Sequence, residues 1–112
     1  MVAKPLEGVP VVEERRKYQR LKFHGRIEIE WGSAILIGTV RDIGPKGLFV
    51  ELTPPLWVGA TFLARIFMNP VLRLECTVRR VEPGKGIAIG FEVPEESGRA
   101  QLEALLATLP SV

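Results

Sequence analysis

Apolar and polar residues alternate with a period of two along much of the chain. In FHGRIEIEW, residues 23–31, Ile27, Ile29 and Trp31 share one face and charged residues occupy the other. Such alternation is typical of a half-buried β-strand. Five further segments, divided by turns containing glycine or proline, predict strands at AILIGTVRDI, LFVEL, TFLARIFM, LRLECTVRRV and IAIGFEV. Gly38, inside the second of the six strands, predicts a bulge.

The final segment has a helical period instead. An apolar stripe in PEESGRAQLEALLATL is formed by Leu102, Leu105, Leu106 and Leu109. Their spacing predicts an amphipathic helix, which Pro110 ends. The stripe either closes the barrel or forms a homodimer interface. Six strands in hairpin order, without intervening helices, predict a mainly all-β fold: a six-stranded antiparallel β-barrel with a C-terminal α-helix.

The composition fits one globular domain. The chain has 112 residues, of which 46% are hydrophobic and 25% charged. Proline and glycine interrupt residues 1–14, so we expect a flexible N-terminal segment there and the domain at residues 15–112. No run of apolar residues is long enough to cross a membrane, and residues 1–14 lack the apolar core of a signal peptide. We therefore expect a cytoplasmic protein without membrane insertion.

The scarcity of cysteine and histidine limits the chemistry. Cys76 is the only cysteine and His24 the only histidine. A disulfide within the chain and a cysteine-based zinc site are therefore excluded. With no nucleophile–base pair or set of metal ligands in view, we expect neither an enzyme nor a metal or cofactor. Cys76 alternates with apolar residues, which predicts a small core side chain.

The positive charge is concentrated near the N-terminus. Residues 1–26 carry seven basic and three acidic side chains, whereas the net charge of the whole chain is +2. EERRKYQR supplies Arg15, Arg16 and Arg20 just before the first strand. A local cluster suits a compact anion better than a long polyanion, so nucleic acid is a poor candidate partner. Further on, the adjacent Arg79 and Arg80 are expected on opposite faces of the fifth strand, one of them extending the basic site.

The segment DIGPKG, residues 42–47, follows the second strand. Asp42 offers two acceptor oxygens, while Gly44 and Gly47 permit positive φ angles and close approach of a ligand. A turn alone accounts for these residues. A carboxylate and an arginine together would also match guanine, because arginine donates to O6 and N7 and the carboxylate accepts from N1 and N2.

The two segments together resemble the PilZ domain family. RRKYQR contains R-x-x-x-R as Arg16 and Arg20, with Arg15 directly before it. DIGPKG stands where PilZ domains carry D/N-x-S-x-x-G, about twenty residues further on. LFVEL, VGATFLARIFM and GIAIGFEV are also similar to strands of that family. The resemblance covers residues 15–109 and includes the predicted pattern of six strands and a helix.

This resemblance implies a bacterial β-barrel that binds the second messenger cyclic di-GMP as a ligand. By the same resemblance, Arg16 and Arg20 would contact guanine edges and phosphates, and Asp42 would accept hydrogen bonds from a guanine. Gly47 would allow a close turn. An arginine directly before the motif, here Arg15, is associated in the family with binding of two stacked ligand molecules. Gly44 replaces the serine of the family, and one hydroxyl contact is thereby lost.

Three functions follow from these observations. The first is a cyclic di-GMP receptor that relays binding to a separate effector protein. The second, motivated by Gly44, is an interaction module of the same fold with weakened or lost ligand binding. The third is a small-barrel binder of single-stranded nucleic acid, for which the chain offers few aromatic side chains outside the predicted strand core.

Overall fold

A computed structural model of the protein describes residues 20–52 and 56–112. Six strands and one helix make up this part of the chain. They are β1 (Leu21–Trp31), β2 (Ala34–Ile43), β3 (Gly47–Glu51), β4 (Thr61–Ile66), β5 (Leu72–Glu82), β6 (Gly86–Glu92) and α1 (Glu96–Leu106). Every strand predicted from the alternation is present, and the observed bounds differ from the predicted ones by one or two residues.

The strands form a closed antiparallel barrel in the order β1-β2-β3-β6-β5-β4. The barrel closes where β1 pairs with β4, from Ile27 opposite Ile66 to Glu30 opposite Leu63. The predicted six-stranded β-barrel with a C-terminal helix is therefore confirmed. Within residues 20–52 and 56–112, no helix has both the length and the apolar character needed to cross a membrane.

The barrel interior is filled by the apolar residues of each alternating pattern. Ile27 and Ile29 of β1 are fully buried, as are Leu48 and Val50 of β3. Both faces of β6 are covered, since every residue from Gly86 to Phe91 is buried. Strand β6 therefore has something packed on its outer face as well as the core on its inner face.

Helix α1 packs on the barrel through the predicted leucine stripe. Leu102 is buried, and Leu106 and Leu109 pack against the core residues. A Cβ at Gly98 would lie 2.8 Å from Val93, so the first turn of the helix approaches the barrel closely. The stripe therefore closes the barrel, which is the first of its two predicted uses.

The strands are interrupted at positions that the sequence pattern did not indicate. In β2, Val40 faces Val50 and Asp42 faces Phe49, so Arg41 is an extra residue in a β-bulge. Gly38 is paired regularly with Ile27, and the predicted bulge at Gly38 is therefore wrong. A Cβ at Gly38 would lie 2.6 Å from Val50, which explains the glycine by close packing instead.

The end of the chain returns to the start of β1. The backbone N–H of Lys22 donates to the carbonyl of Pro110 at 2.8 Å, and the N–H of Val112 donates to the carbonyl of Arg20 at 3.2 Å. Leu21 and Ser111 form an isolated antiparallel bridge between these two hydrogen bonds. The residues after α1 thus hold the segment on which Arg20 lies.

The packing of α1 predicts unequal costs for truncating its leucines. Leu102→Ala should lower the free energy of unfolding by about 2–5 kcal/mol, because it empties a buried site in the core. Leu105→Ala is the matched control. Leu105 is only partly buried and lies outside the core cluster, so we expect a loss below about 1 kcal/mol. Urea denaturation of both variants measures the difference, and equal losses would contradict a helix held through Leu102.

Candidate functional site

The site is built around one buried carboxylate on the outer face of the barrel. Asp42 is 5% exposed, although its side chain does not enter the core. Its Oδ1 accepts a hydrogen bond from Arg20 Nη1 at 2.6 Å, and its Oδ2 accepts one from Arg41 Nε at 3.0 Å. A buried charge needs such partners, so the two arginines and the carboxylate stabilise each other.

The β-bulge in β2 is what brings Arg41 and Asp42 to the same face. In a regular strand Arg41 and Asp42 would point to opposite faces. Because Arg41 is the extra residue of the bulge, both side chains point outward. The Arg41 guanidinium lies 3.9 Å from the centre of the Phe49 ring, in cation–π geometry. Phe49 is directly opposite Asp42 and is 1% exposed, although it is not part of the core cluster. The Phe49 ring therefore lies on the same outer face as Asp42, covered by the Arg41 guanidinium.

A patch of glycine and alanine residues lies beside this cluster. Gly47 of β3 and Gly90 of β6 are directly paired, and Ala88 is the next outward residue of β6. The Arg20 guanidinium lies over the first of these glycines, since a Cβ at position 47 would be 3.3 Å from Nη2. We call Gly47, Ala88 and Gly90 the small-residue floor. Ala88 and Gly90 are buried and Gly47 is partly buried, so a flat group can lie against this backbone only where a guanidinium moves aside.

The glycines of DIGPKG use close approach rather than an unusual backbone angle. Neither Gly44 nor Gly47 is among the glycines with positive φ. Gly47 gives room to its neighbours, because a Cβ there would lie 3.1 Å from Ile89 O and 3.3 Å from Arg20 Nη2. The N–H of Gly44 donates to Gly47 O at 2.7 Å and thereby closes the turn.

Strand β5 contributes two arginines to the outer face. Val78 pairs with Ile89 and Arg80 pairs with Ala88, so Arg79 is the extra residue of a second β-bulge. Both Arg79 and Arg80 are exposed, and Arg80 shares the outward direction of Ala88. The prediction that the two arginines point to opposite faces is therefore wrong, because regular alternation fails at a bulge.

The structure brings together part of the predicted site. Arg20, Asp42 and Gly47 are in contact or adjacent, and Gly44 lies in the turn beside them. Arg15 and Arg16 lie outside the described residues, as does the predicted flexible segment 1–14. The domain boundary at residue 15 and the roles of these two arginines stay predictions.

Arg41 and Phe49 are site residues that the sequence reasoning missed. Both lie in segments predicted as strands, and the alternation pattern does not mark either residue as part of a site. Arg41 directly precedes Asp42, and a polar pair at the end of an apolar strand is the one signal of the bulge. Among the residues described, no three histidine, cysteine, aspartate or glutamate side chains gather in the manner of a metal site.

The PilZ domain family profile matches residues 14–108, which is most of the chain. The chain belongs to the PilZ domain family. PilZ domains are ligand-binding receptor domains and not a known family of enzymes. Comparison with curated protein sequences finds no match.

Solved structures of other PilZ proteins have the same fold. The Bacillus subtilis inhibitor of motility MotI (DgrA) is 19% identical with a TM-score of 0.66, over 83% of this chain and 50% of that chain. The PilZ domain of CeSA from a cellulose-synthesizing bacterium is 19% identical with a TM-score of 0.60, over 79% of this chain and 94% of that one.

A third PilZ structure, YcgR from Escherichia coli, was determined in complex with c-di-GMP. It is 16% identical with a TM-score of 0.67, over 84% of this chain and 45% of that chain. This PilZ domain therefore spans about half the length of MotI and of YcgR. At these identities the comparison with solved structures concerns the fold.

Burial gives the single thiol of this PilZ domain a testable property. Desolvation, with a smaller contribution from the charge of Glu75, raises the pKa of Cys76 to about 12. At about pH 8 the folded protein should react with a thiol reagent at least roughly a hundredfold more slowly than the unfolded chain, because the thiolate is the reactive form. Labelling rates with and without denaturant measure this ratio, and similar rates would contradict a protonated, buried thiol.

Proposed function

We propose that this PilZ domain is a receptor for cyclic di-GMP. The observation that carries the proposal is the contact between Arg20 of the R-x-x-x-R motif and Asp42 of the DIGPKG segment, at 2.6 Å. The two segments are distant in the sequence, and the small-residue floor lies beside their meeting point. The complex of the PilZ protein YcgR with c-di-GMP supports the choice of ligand.

The chemistry of the site fits guanine and phosphate groups. Arg20 and Arg41 offer guanidinium donors, which match phosphate oxygens and the O6 and N7 acceptors of guanine. Asp42 accepts from the N1 and N2 donors of guanine. Because both oxygens of Asp42 already have arginine partners, binding exchanges at least one of these hydrogen bonds for one to the ligand. Arg15 and Arg16 complete the basic arm in this proposal.

Binding is relayed to a separate effector protein. Arg20 lies at the root of the basic arm, where the residues after α1 hold it by backbone hydrogen bonds. A ligand that takes Asp42 from Arg20 changes the contacts of this root, and the surface presented to the effector changes with it. The relay thus needs no catalytic step.

Calorimetry with cyclic di-GMP tests the receptor role. Arg20→Ala and Asp42→Ala should each weaken binding by about tenfold or more, because each removes a charged hydrogen-bonding group worth about 1.5–3 kcal/mol. Arg73→Ala is the matched control. Its side chain is 64% exposed and, within the described part of the chain, its one ion pair is with Glu95 at 3.8 Å, so its loss should leave the affinity unchanged.

The titration of the wild-type protein decides whether the receptor role holds. If the folded wild-type protein gives no saturable heat at micromolar ligand, the receptor role is wrong. The remaining role would then be that of an interaction module with the same fold. Circular dichroism of each variant confirms that a loss of binding does not reflect a loss of folding.

Gly44 offers a test by gain of affinity. Gly44→Ser restores the hydroxyl typical of the family motif, at a position whose φ is not in the left-handed region. One added hydrogen bond of about 0.5–1.5 kcal/mol should tighten binding by up to roughly tenfold. The same calorimetric titration measures the change. Unchanged affinity in a folded variant would show that a hydroxyl at residue 44 does not reach the ligand.

A further inference from the structure

Arg79 lies on the small-residue floor beside Arg20. Its guanidinium occupies the space that a Cβ at Gly90 would need, with Nη2 2.8 Å and Cζ 2.9 Å from that position and Nε closer still. The two nitrogens are nearer than the carbon, so the donor edge of the fork faces the floor. Arg79 follows the inward-facing Val78 in β5 and therefore points outward, and the bulge lets Arg80 face outward as well.

Arg79 differs from its neighbour in having unused donors. Arg80 donates to Glu82 from Nε at 3.1 Å and from Nη2 at 2.6 Å. For Arg79, residues 20–52 and 56–112 provide neither an ion pair nor a hydrogen-bond acceptor. The N–H donors of Arg79 that point away from the floor are therefore available to a ligand, on a guanidinium that already has a defined place against the backbone.

The guanidinium groups of Arg20 and Arg79 lie over two paired glycines. Gly47 and Gly90 are directly opposite, and Cβ positions of such cross-strand pairs are about 5 Å apart. Arg20 lies over the first glycine and Arg79 over the second. Asp42 is the only carboxylate paired with Arg20 and Arg41 among the described residues, so these three arginines exceed it by two positive charges. Two phosphates of a cyclic dinucleotide would balance that excess.

The floor also opens into a groove on the side of Arg79. The groove has a volume of about 590 Å³. Its charged lining residues are Arg79 and Lys46 on one hand and Glu75 and Glu92 on the other, and parts of the core residues Phe62, Cys76 and Phe91 also line it. It runs away from Asp42, across Thr77 towards Thr61. A ligand that extended past the glycine pair would therefore enter this groove, with Arg79 at its entrance.

We propose that the ligand surface extends across β6 and that Arg79 is an additional ligand-binding residue, facing Arg20 across the paired glycines. The inference rests on the proposed receptor function, because the ligand is the same dinucleotide. Arg79 donates to its phosphate or guanine acceptors from the side opposite Asp42. Neither short motif includes this residue.

The test compares neighbouring arginines by calorimetry with cyclic di-GMP. Arg79→Ala should weaken binding by about tenfold or more, the value expected for a charged hydrogen-bonding partner. Arg80→Ala is the matched control, with the same charge, strand and face but with its donors already used by Glu82. Its affinity should stay within about threefold of wild type. Thermal melting of both variants checks that the barrel is intact.

A second variant removes the space instead of the charge. Gly90→Ala places a methyl group where the Arg79 guanidinium lies, and the flexible side chain must move away. We expect a folded protein with weakened binding and unchanged net charge. If the wild type binds while Arg79→Ala and Gly90→Ala bind equally well, the inference is wrong and the receptor function stands.

Two further outcomes separate the proposals. Equal losses in Arg79→Ala and Arg80→Ala would indicate general attraction by positive charge and would overturn a specific contact of Arg79. A wild-type protein that does not bind would overturn the receptor function and this inference together.

Discussion

The exposed face of this barrel depends on the pairing of one buried carboxylate with two guanidinium groups. Asp42 is nearly inaccessible to water, and a lone charge in that position would be strongly unfavourable. Arg20 from the arm and Arg41 from the same strand supply the compensation. The carboxylate thereby joins Arg20, the last residue of the R-x-x-x-R motif, to the barrel wall. The price of this arrangement is that a ligand must compete with an existing ion pair.

Two β-bulges place two pairs of polar residues on the outer face of the barrel. Regular alternation would send one residue of each polar pair into the core, where an unpaired charge is not tolerated. The extra residue in β2 allows Arg41 and Asp42 to share the outer face, and the extra residue in β5 does the same for Arg79 and Arg80. Between them lie β3 and β6, where the directly paired outward residues Gly47 and Gly90 carry no side chains and the outward ring of Phe49 is covered by Arg41. The polar groups therefore border this pair of glycines.

The architecture was predictable from the sequence because it rests on periodicity. Alternating apolar residues specified the six strands, and the leucine spacing specified α1. The bulges were not predictable, since a bulge changes the pairing partner and leaves the order of residues unaltered. Gly47 was predicted as a site residue, but the groups that limit the space at this position were not predictable. They are the Arg20 guanidinium and Ile89 O, and both come from distant parts of the chain. The cation–π contact of Arg41 with Phe49 depends on the same long-range pairing.

The antiparallel bridge between Leu21 and Ser111 has a mechanical consequence. Its two flanking hydrogen bonds, from Lys22 to Pro110 and from Val112 to Arg20, tie the last residues to the base of the arm. Tension that drew residues 110–112 away from the barrel would also loosen the backbone that aims Arg20 at Asp42. Residues 20–22 and 110–112 therefore form one hydrogen-bonded unit, and displacing either segment breaks the backbone contacts of the other.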